Sequence, residues 1–532
     1  MFVHGVYTDT VRCLGDTTIP LLGIDIGTGG SRALLLSEDG RVLHAATAEH
    51  AGFRSPQAAW AEQDPADWWR AAQAAIRQVL KVSGVGGDQI AALGLSGQMH
   101  GTVVLDERGT VLRPAIIWCD QRGEVEAGEL ERTLGASRLL ELTSNPALTN
   151  FTLVKLLWLK NHEPETWRRI RHLLLPKDYV RYCLSGEYAI DVAEASGTLL
   201  LDVAHRRWSA PMIAAAGLDA KVLPALFESP EVCARVSAEA AALTGLKAGT
   251  PIVAGAGDQA AGAVGMGISR PGAVSATIGT SGVVFAATAR PTLDPHGRLH
   301  TFCHAIPDRW HVMGVTQAAG LSLRWWRELL GGDYDQLTAA AATAPPGAEG
   351  VLWAPYLMGE RTPHCDPNVR AGLVGLAAHH TRAHVARAVL EGVAFSLRDT
   401  FTIFAELGVP VERVRAGGGG ARSELWRQIQ ADVYGHAIET VAAEEGAALG
   451  AALLAGVGAG VWRDVDAACD AAVHTAATVA CRPEVARHMD ARYSAYRRLY
   501  PALRELTLNQ SNHAPPGPGD LGPRAAVQSA PI

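Results

Sequence analysis

Residues 21–48 read LLGIDIGTGGSRALLLSEDGRVLHAATA, and this stretch decides the fold. Its pattern predicts an apolar strand over 21–26, a Gly/Thr/Ser turn, a second strand over 32–37, a Glu-Asp-Gly turn and a third strand over 42–48. Strands joined by such tight turns form an antiparallel meander. The chain therefore opens, after its first residues, with a three-stranded sheet.

The second half of the chain repeats this theme. Residues 272–288 read GAVSATIGTSGVVFAAT, which again predicts a strand, a Gly-Thr-Ser-Gly turn and a strand. The tripeptide IGT occurs at 26–28 and at 278–280, each time inside such a unit. This recurrence predicts a duplicated architecture, in which two α/β domains face each other across a cleft and a linker lies near 267–272.

Length and composition narrow the class of protein. A chain of 532 residues is too long for a single core and fits two large domains. Its formal net charge of -7 argues against a nucleic-acid-binding surface, which requires clustered Lys and Arg. The eight cysteines are irregularly spaced without a CxxC pair, so neither a zinc site nor a disulfide framework is indicated. Reduced thiols in a cytoplasmic protein are the simplest interpretation.

The ends of the chain, and its most apolar run, indicate a protein without a membrane partner. The start lacks a basic region followed by an apolar stretch, so no signal peptide is predicted. The run at 446–462 is rich in Gly and Ala and too short to span a bilayer comfortably, and it predicts a buried helix ending near Gly456 or Gly458. Residues 1–19 are interpreted as an extension, and 507–532 as a tail of disorder-prone composition.

The motif DIGTGGSR at 25–32 superficially matches a dinucleotide-binding loop. That fingerprint must lead into a helix, whereas ALLLSEDGRVL follows here and is typical of a strand. The remaining interpretation is a β-turn whose amides and hydroxyls hold phosphate, with Arg32 nearby. Asp25, at the end of an apolar strand, suits a hydrated magnesium ion. The alternative is an ordinary glycine hairpin in which Asp25 binds the turn amides.

Two further glycine segments fit a polyphosphate ligand. TIGTSG at 277–282 is the counterpart of the first turn. By itself it is more typical of an ordinary hairpin, but a ligand bound between both domains needs one turn on each side. AGGGGARSELW at 416–426 places four glycines between a strand and a helix. Glycine lets the backbone approach a flat ligand closely, which favours an adenosine pocket, although a flexible loop with a helix cap explains the same letters.

Other polar segments carry a weaker signal. In SGQMHGT (96–102), His100 is by itself more typical of a structural histidine than of a ligand. Asp120 and Arg122 of the WCDQR segment are expected to form an ion pair. The segment GERTPH (359–364) is a polar loop after a buried-looking strand, and its composition predicts no function.

The segment VAGAGDQAAGAVG at 253–265 carries one acid, Asp258, among small residues. One interpretation is an N-cap for the helix that follows. The other is a general base at the carboxyl end of a strand, where α/β proteins bind ligands. N-capping explains the aspartate but not its small neighbours, whereas the close approach of another body explains those neighbours.

Taken together, these segments resemble the FGGY family of carbohydrate kinases, in the actin-like ATPase superfamily, over about residues 21–505. GIDIGTGGSR, GAGDQAAGAVG, IGTSG, GERTPH and GGGGARSELWRQ occur in the family's order. GLVGLAAHHTRAHVARAVLEGVAFSL matches its C-terminal signature closely, and FTLVKLLWLKNHEPETW matches its N-terminal signature loosely, with Leu153-Val154 where the pattern often has Ala-Pro. SGQMHG and RPAIIWCDQR are most similar to bacterial members that phosphorylate D-xylulose.

The resemblance implies an α/β fold with two actin-like (ribonuclease H-like) ATPase domains flanking a catalytic cleft. The N-terminal domain (20–268) would bind sugar and the C-terminal domain (269–506) the nucleotide. The implied reaction is phosphoryl transfer from ATP, with Mg2+, to D-xylulose, giving D-xylulose 5-phosphate. Other ketoses or polyols (ribulose, glycerol, a hexulose) remain open, as do a non-phosphorylating actin-like ATPase or sugar sensor and a homodimer.

The resemblance also assigns roles by position. Asp258 would take the proton from the sugar's 5-hydroxyl, and Asp25 would hold magnesium through water. The substrate contacts would be Met99, His100, Asp258 and Gln259. The residues at the nucleotide and its phosphates would be Thr28, Ser31 and Arg32 on one side, Thr280 and Ser281 opposite, and Gly418, Gly419 and Ser423 in the pocket. Where family members often have Asp-Gly, this chain has Glu445-Gly446, which leaves that contact open.

Overall fold

The computed structural model describes residues 19–442 and 446–511, the last four as backbone only. The predicted extension up to residue 18, Glu445 and the tail from residue 512 lie outside the described residues. The strands up to residue 268 are β1 (Leu21–Ile26), β2 (Gly30–Leu36), β3 (Val42–Glu49), β4 (Glu62–Gln63), β5 (Ala92–Gly97), β6 (Val103–Leu105), β7 (Ala115–Ile116), β8 (His172–Leu174), β9 (Ala189–Asp191), β10 (Leu201–Asp202), β11 (Arg207–Trp208), β12 (Ala225–Phe227), β13 (Val232–Arg235), β14 (Pro251–Val253) and β15 (Ala256–Gly257). The helices of this part are α1 (Pro65–Ser83), α2 (Glu124–Leu134), α3 (Ala136–Thr143), α4 (Thr152–His162), α5 (Pro164–Arg169), α6 (Pro176–Ser185), α7 (Val192–Ser196), α8 (Ala210–Ala216), α9 (Ala238–Thr244) and α10 (Asp258–Gly265).

The second half begins with the repeated unit and ends in helices. Its strands are β16 (Gly272–Ile278), β17 (Gly282–Thr288), β18 (His300–Cys303), β19 (Trp310–Thr316), β20 (Leu352–Ala354), β21 (Gly372–Val374), β22 (Val411–Gly417), β23 (Ile438–Val441) and β24 (Thr475–Val479). Its helices are α11 (Gly320–Leu330), α12 (Tyr334–Thr343), α13 (Arg382–Glu406), α14 (Glu424–Tyr434), α15 (Gly446–Gly458), α16 (Val465–Ala472), α17 (Pro483–Tyr496) and α18 (Leu499–Ser511).

The N-terminal sheet has the order β13-β14-β5-β1-β2-β3, with β15 paired to β5. Strands β1, β2 and β3 form the predicted antiparallel meander. The first turn is shorter than predicted, because β2 already begins at Gly30. Strands β5 and β14 continue the sheet in parallel with β1, and β13 closes it in the antiparallel direction.

The C-terminal sheet repeats this plan. Its order is β18-β19-β17-β16-β22-β23-β24, in which β16, β17 and β19 form an antiparallel meander. Strands β22 and β23 then run parallel to β16, and β24 closes the edge in the antiparallel direction. Apart from the extra strand β18, the order and directions match those of the N-terminal sheet, so the predicted duplication of an α/β unit is confirmed.

Helix α15 ties the end of the chain back to the N-terminal sheet. It is the predicted buried helix, and it ends at Gly458 as expected. It packs on β1 and β5 so closely that a Cβ on Gly23 would lie 2.0 Å from the carbonyl oxygen of Ala448. On its other side it meets α10, where a Cβ on Gly450 would lie 1.8 Å from the carbonyl oxygen of Ala261. Residues 446–472 thus cover the N-terminal sheet, although they follow the predicted boundary at residue 268 by almost two hundred positions.

The last helix reaches further than the sequence indicates. Helix α18 runs through Ser511, so residues 507–511 are helical where a tail was predicted. Within the described part of the chain, helices are either too short or too polar to cross a bilayer.

Candidate active site

Two carboxylates, Asp25 and Asp258, lie at the carboxyl ends of two parallel strands, β1 and β15, that flank β5. In the register of the N-terminal sheet, Asp25 of β1 is opposite Ser96 of β5, and Ser96 is opposite Ala256 of β15. Asp258 follows β15 directly as the first residue of α10. The sheet therefore brings to one edge two acids that are 233 positions apart in sequence, which is where α/β sheets bind ligands.

Asp258 is positioned by the strand before it and the helix that it begins, and its side chain does not cap that helix. The N-cap of α10 is Gly257, and there is no side-chain cap hydrogen bond, so the N-capping interpretation of Asp258 is wrong. Its Oδ1 accepts a hydrogen bond of 3.3 Å from the Gln259 amide. Burial, and after it the negative charge of Asp25, raises the pKa of Asp258 to about 7. A carboxylate with such a pKa is suited to accept a proton near neutral pH.

Asp25 offers an unsatisfied oxygen. Burial raises its pKa, while the neighbouring Ser96 hydroxyl and the charge of Arg32 act in the opposite direction. Among the described residues, its buried Oδ1 has no hydrogen-bond partner, and the turn amides do not bind it. A buried acceptor beside a second carboxylate is the kind of oxygen site that Mg2+ accepts while it keeps several waters. The residues present therefore fit a hydrated magnesium ion.

The turn after β1 is held by side chains from three other segments. Gly27 N–H donates to the carbonyl of Gly30 across the turn, at 3.0 Å. The Gln63 amide donates to the Thr28 carbonyl at 2.7 Å, and the indole N–H of Trp118 donates to the Thr28 hydroxyl at 3.0 Å. Gln98 completes the group through a 2.9 Å bond to Gln63. Thr28 is thus fixed at the edge of the sheet beside Asp25.

Ser31 and Arg32 lie on opposite faces of β2, because successive side chains of a strand alternate. Arg32 is opposite Asp25, and its charge acts on that carboxylate. Ser31 is opposite Ile26, on the core face, and is fully buried with an unpartnered hydroxyl. The structure therefore places Arg32 and not Ser31 on the side of the two acids, and a contact of Ser31 with phosphate stays a prediction.

One of the two ring nitrogens of His100 forms a hydrogen bond within the described part of the chain. It is buried, with its backbone in the left-handed region at φ 67, and its carbonyl accepts hydrogen bonds from Lys155 and Thr152. Its Nδ1 lies 2.7 Å from the Gly197 carbonyl, so Nδ1 carries the proton and donates. Burial, with the positive charges of Lys155 and Arg361, lowers the pKa of His100 to about 3. The neutral ring then presents Nε2 as an acceptor, which suits a sugar hydroxyl.

Met99 lies between His100 and the base. It is buried, and a Cβ on Gly257 would lie 2.7 Å from its Cγ and 2.5 Å from the Glu194 carboxylate. Because a larger residue at position 257 would collide with these two side chains, only glycine fits directly before Asp258.

The turn between β16 and β17 of the C-terminal sheet contacts the start of α11 mainly through its backbone carbonyls. The carbonyl of Thr280 accepts from the amides of Ala319 and Leu321, both at 3.1 Å, and the carbonyl of Gly279 accepts from Gly320 at 2.9 Å. These bonds fix the start of α11 next to the turn. Thr280 is exposed and lines the α11 cavity described below, whereas Ser281 is half-buried and belongs to neither cavity lining.

The glycine segment after β22 approaches that turn closely. Gly418 has φ +70, and a Cβ there would lie 2.5 Å from the carbonyl oxygen of Ile278. A Cβ on Gly420 would lie 2.6 Å from the Ile278 side chain. A larger residue at either position would push the segment away from the strand end, so these glycines are required by the close approach.

Two neighbouring cavities share this glycine segment as a wall. The α11 cavity, of about 730 Å³, is lined by residues of the turn, α11, α12 and α14: Ile278, Gly279, Thr280, Gly320, Leu321, Leu323, Arg324, Tyr334, Asp335, Thr338, Ala339, Gly419, Gly420, Arg422, Ser423, Glu424, Leu425 and Trp426. Ser423 also caps α14, because its hydroxyl accepts from the Trp426 amide at 3.3 Å. The glycine segment thus lines a cavity and leads into a capped helix, and the adenosine pocket stays a prediction.

The Asp258 cavity, of about 670 Å³, contains the candidate base and its neighbour Gln259. Gly417, Gly418 and Gly419 line its opposite side, and Gly419 and Arg422 are shared with the α11 cavity. A ligand that extends from the α11 cavity past the glycine segment therefore reaches toward Asp258.

The small residues around Asp258 have two different uses. Gly262 and Ala263 line the Asp258 cavity, as the predicted approach of a ligand requires. Gly255 and Gly265 are small for packing instead, because added Cβ atoms would lie 1.9 Å from the Leu95 carbonyl and 2.1 Å from the Gly446 carbonyl. Ala261 faces Gly450 of α15. The expectation that all of these residues clear space for substrate is thus wrong for most of them.

Several site residues escaped the sequence analysis. Trp118 and Gln98 bind the first turn, and Lys155 holds the backbone of His100, although each belongs to an unremarkable helix or strand segment. The expected ion pair of Asp120 and Arg122 is present at 2.8 Å, yet the residue of that segment that binds the first turn is its neighbour Trp118. Gln98 carried a sequence signal, as a polar residue directly after a strand that ends in glycine, whereas Trp118 and Lys155 did not.

Comparison with known proteins agrees with this arrangement. The model of the FGGY family of carbohydrate kinases matches residues 20–265 as its N-terminal domain and 274–459 as its C-terminal domain. A xylulose kinase of Escherichia coli K12 is 43% identical over 424 residues, which is 79% of this chain and 85% of that protein. A xylulose kinase of Bacillus subtilis 168 is 38% identical over 431 residues, 81% and 86% of the two chains. The crystal structure of a xylulose kinase from Rhodospirillum rubrum superposes with a TM-score of 0.86 at 33% identity, covering 92% of this chain and 99% of that one.

Proposed function

The chain belongs to the FGGY family of carbohydrate kinases, and we propose that it transfers the γ-phosphoryl group of ATP to the 5-hydroxyl of D-xylulose. The single observation that carries this proposal is the buried carboxylate of Asp258, with its pKa near 7, in a cavity that adjoins a second cavity across the glycine segment. The relatives described above, which are named xylulose kinases, support the choice of xylulose as the sugar.

In the proposed reaction Asp258 removes one proton. As the 5-oxygen of the sugar forms a bond to the γ-phosphorus, the bond from that phosphorus to the β,γ-bridging oxygen breaks, and ADP leaves. The proton of the 5-hydroxyl passes to the Asp258 carboxylate and then to solvent. Phosphoryl transfer depends on alignment and charge neutralisation more than on covalent chemistry, so one base on a rigid strand end suffices.

The sugar side of the site is formed by Met99, His100 and Gln259. The neutral His100 ring accepts a hydrogen bond from a sugar hydroxyl at Nε2, and Met99 supplies an apolar wall beside it. Gln259 lines the cavity next to the base and can bind an adjacent hydroxyl.

The nucleotide occupies the α11 cavity in this proposal. Gly418, Gly419 and Ser423 border its nucleoside part, and Thr280 and Ser281 face the phosphates opposite Thr28 and Arg32. Asp25 holds Mg2+ through water, and the ion, when bound, neutralises charge on the phosphates. The unpartnered Oδ1 of Asp25 supports this role.

The proposed division of labour follows the two sheets, with residues 20–268 binding the sugar and 269–506 the nucleotide. Closure of the cleft would exclude water, which otherwise competes with the sugar as acceptor. A cytoplasmic location fits an ATP-consuming enzyme, and the cysteines of the described part are free thiols. The homodimer stays a prediction.

A sugar panel tests the proposed substrate. ADP release is measured with D-xylulose, D-ribulose, D-fructose, glycerol and no sugar, and kcat/KM is compared. We expect D-xylulose to exceed each other acceptor by about tenfold or more, since a site built to bind particular hydroxyls discriminates strongly. A higher kcat/KM with another acceptor would overturn the choice of sugar. Full-rate ATP hydrolysis without sugar would instead favour an actin-like ATPase.

A further inference from the structure

We propose that Arg361, in the loop after β20, recognises the ketone end of the sugar by donating hydrogen bonds to its carbonyl oxygen. This inference rests on the proposed function and extends it: the nucleotide domain would contribute a specificity-determining residue to the sugar site. Arg361 belongs to the GERTPH segment, whose composition predicted no function.

The loop that carries Arg361 is pinned on both sides. Before it, the Glu360 carboxylate accepts from the amides of Gln317 and Arg361, at 2.9 and 2.8 Å, and from the Ser396 hydroxyl at 3.1 Å. After it, Thr362 exchanges two 3.0 Å hydrogen bonds with Val315 of β19. The backbone of Arg361 is therefore fixed, and the direction of its side chain is constrained.

The guanidinium of Arg361 is left without a partner in the described part of the chain. Neither a hydrogen bond nor an ion pair is formed by its side chain, and the adjacent Glu360 carboxylate is already occupied. Other deeply placed arginines differ: Arg181 binds Asp178, and Arg387 binds Glu391. Arg361 is nevertheless only partly buried, so a ligand can reach it. Burial lowers its pKa, as expected for a cation without a bound counter-charge.

The same loop is joined to the strand that delivers His300. The Thr362 hydroxyl donates to the carbonyl of Arg298 at 2.9 Å, two residues before His300. His300 and His100 both lie against the Phe151 ring, with centroids 5.7 and 5.1 Å away. The Phe151 ring thus contacts a histidine from each half of the molecule, and the loop of Arg361 is bonded to the segment that leads to His300.

The charge of Arg361 reaches both imidazoles. It contributes to lowering the pKa of His100 and of His300, in each case after burial. Met99, the residue before His100, lies against Gly257, the residue directly before Asp258. A sugar that extends from Asp258 past Met99 to His100 therefore has its far end next to Arg361.

The chemistry of that far end fits a guanidinium. When the 5-hydroxyl of D-xylulose lies at Asp258, the C1 hydroxyl and the C2 carbonyl lie at the opposite end of the chain. Arg offers five N–H donors and no acceptor, which complements a carbonyl oxygen, while neutral His100 accepts from a hydroxyl. Reduction of C2 to an alcohol would replace the carbonyl, which only accepts hydrogen bonds, with a hydroxyl, which also needs an acceptor for its own proton.

The test compares D-xylulose with xylitol, which differs from it by reduction at C2. KM of D-xylulose and the inhibition constant of xylitol are measured for the wild type and for Arg361→Met, Arg361→Lys and Arg370→Met. Arg370 is the matched control, because it is exposed and binds only backbone carbonyls of its own loop. Thermal unfolding and ADP affinity are recorded for every variant to show that it is folded.

We expect Arg361→Met to raise KM of D-xylulose about 100-fold while changing the xylitol constant less than threefold, since a lost buried donor penalises only the ligand that used it. Arg361→Lys should lie between, with kcat changed less than KM, and Arg370→Met should match the wild type. Equal losses for both ligands, or none for either, would overturn the proposal. So would a wild type that prefers D-gluconate and loses that preference in Arg361→Met, since the guanidinium would then bind a carboxylate. A wild type inactive on D-xylulose and on D-gluconate alike would instead refute the proposed function itself.

Discussion

The two turns that share the letters IGT occupy equivalent places in equivalent sheets, yet they present different chemistry. In the N-terminal sheet the residue before the shared letters is Asp25, and its parallel neighbour is Ser96. In the C-terminal sheet the corresponding residue is Thr277, and its parallel neighbour is Gly417. The strands around the two turns have the same order and directions, so these residue differences do not come from the sheet topology. At equivalent positions of the two duplicated sheets, the first therefore has an acid and a serine, and the second has a threonine and a glycine.

The surroundings of the turns differ in the same sense. Side chains of Gln63, Gln98 and Trp118 hold the first turn, whereas carbonyls of the second turn bind the start of α11. The first half is thereby arranged to place charged groups, and the second to let backbone approach a ligand closely. This contrast leads to four predictions.

The largest expected effect comes from removing the acid of the first turn. Asp25→Asn should lower kcat about 100-fold to 1000-fold, because a charge that neutralises the reacting phosphates is lost. The dependence of kcat on Mg2+ concentration should shift to higher concentrations. Thr277→Val, the matched change in the other half, should lower kcat less than tenfold. Equal losses in the two variants would show that the halves are not specialised as described.

The next effect concerns the glycines of the second half. Gly418→Ala should weaken ADP binding by about tenfold or more, because the added Cβ meets the Ile278 carbonyl at 2.5 Å and the positive φ disfavours a side chain. Gly29→Ala in the first turn meets no atom within 4 Å and should change ADP affinity less than threefold. Isothermal titration of both variants checks this difference, and unchanged ADP affinity in Gly418→Ala would count against the α11 cavity as the nucleotide site.

The third prediction uses the pKa of the base. Asp258 acts only when deprotonated, so kcat/KM for D-xylulose should be constant above about pH 7 and fall about tenfold for each pH unit below it. The charge of Asp25 contributes to raising this pKa, and the acid limb of Asp25→Asn should therefore lie at lower pH. A profile that is flat down to pH 5.5 would contradict the role of Asp258 as base.

The smallest effect concerns packing around α10. Gly265→Ala should lower the free energy of unfolding by about 1–3 kcal/mol, because the new Cβ would lie 2.1 Å from the Gly446 carbonyl. Gly262→Ala meets nothing closer than 4.0 Å and should change stability by less than about 0.5 kcal/mol. Urea unfolding of the pair measures the difference. Similar stabilities would mean that α10 and α15 do not pack as closely as described.

Local pattern predicted the parts of the fold that are local. The meander, the repeated unit and the buried helix α15 follow from alternation, glycine turns and apolar content, and all three are confirmed. The return of α15 to the N-terminal sheet is a contact across more than four hundred positions, and nothing in its own letters indicates the partner.

The site was predicted to a similar depth. The recurring glycine turns and the lone acid pointed to Asp25 and Asp258, but the use of Gly255, Gly257 and Gly265 depends on which backbone or side chain lies opposite each one. Arg361 carried no signal, because its role depends on the absence of a partner, and a sequence does not show what a side chain fails to meet.

The central claim is that Asp258 is the base of the reaction and is separable from the nucleotide site. The most direct test measures kcat for D-xylulose and the dissociation constant of ADP side by side in the wild type and in Asp258→Asn. We predict that kcat falls by a factor of about 100 to 10,000, the usual contribution of a general base, while ADP affinity changes less than threefold. Near-normal turnover in Asp258→Asn would contradict the account.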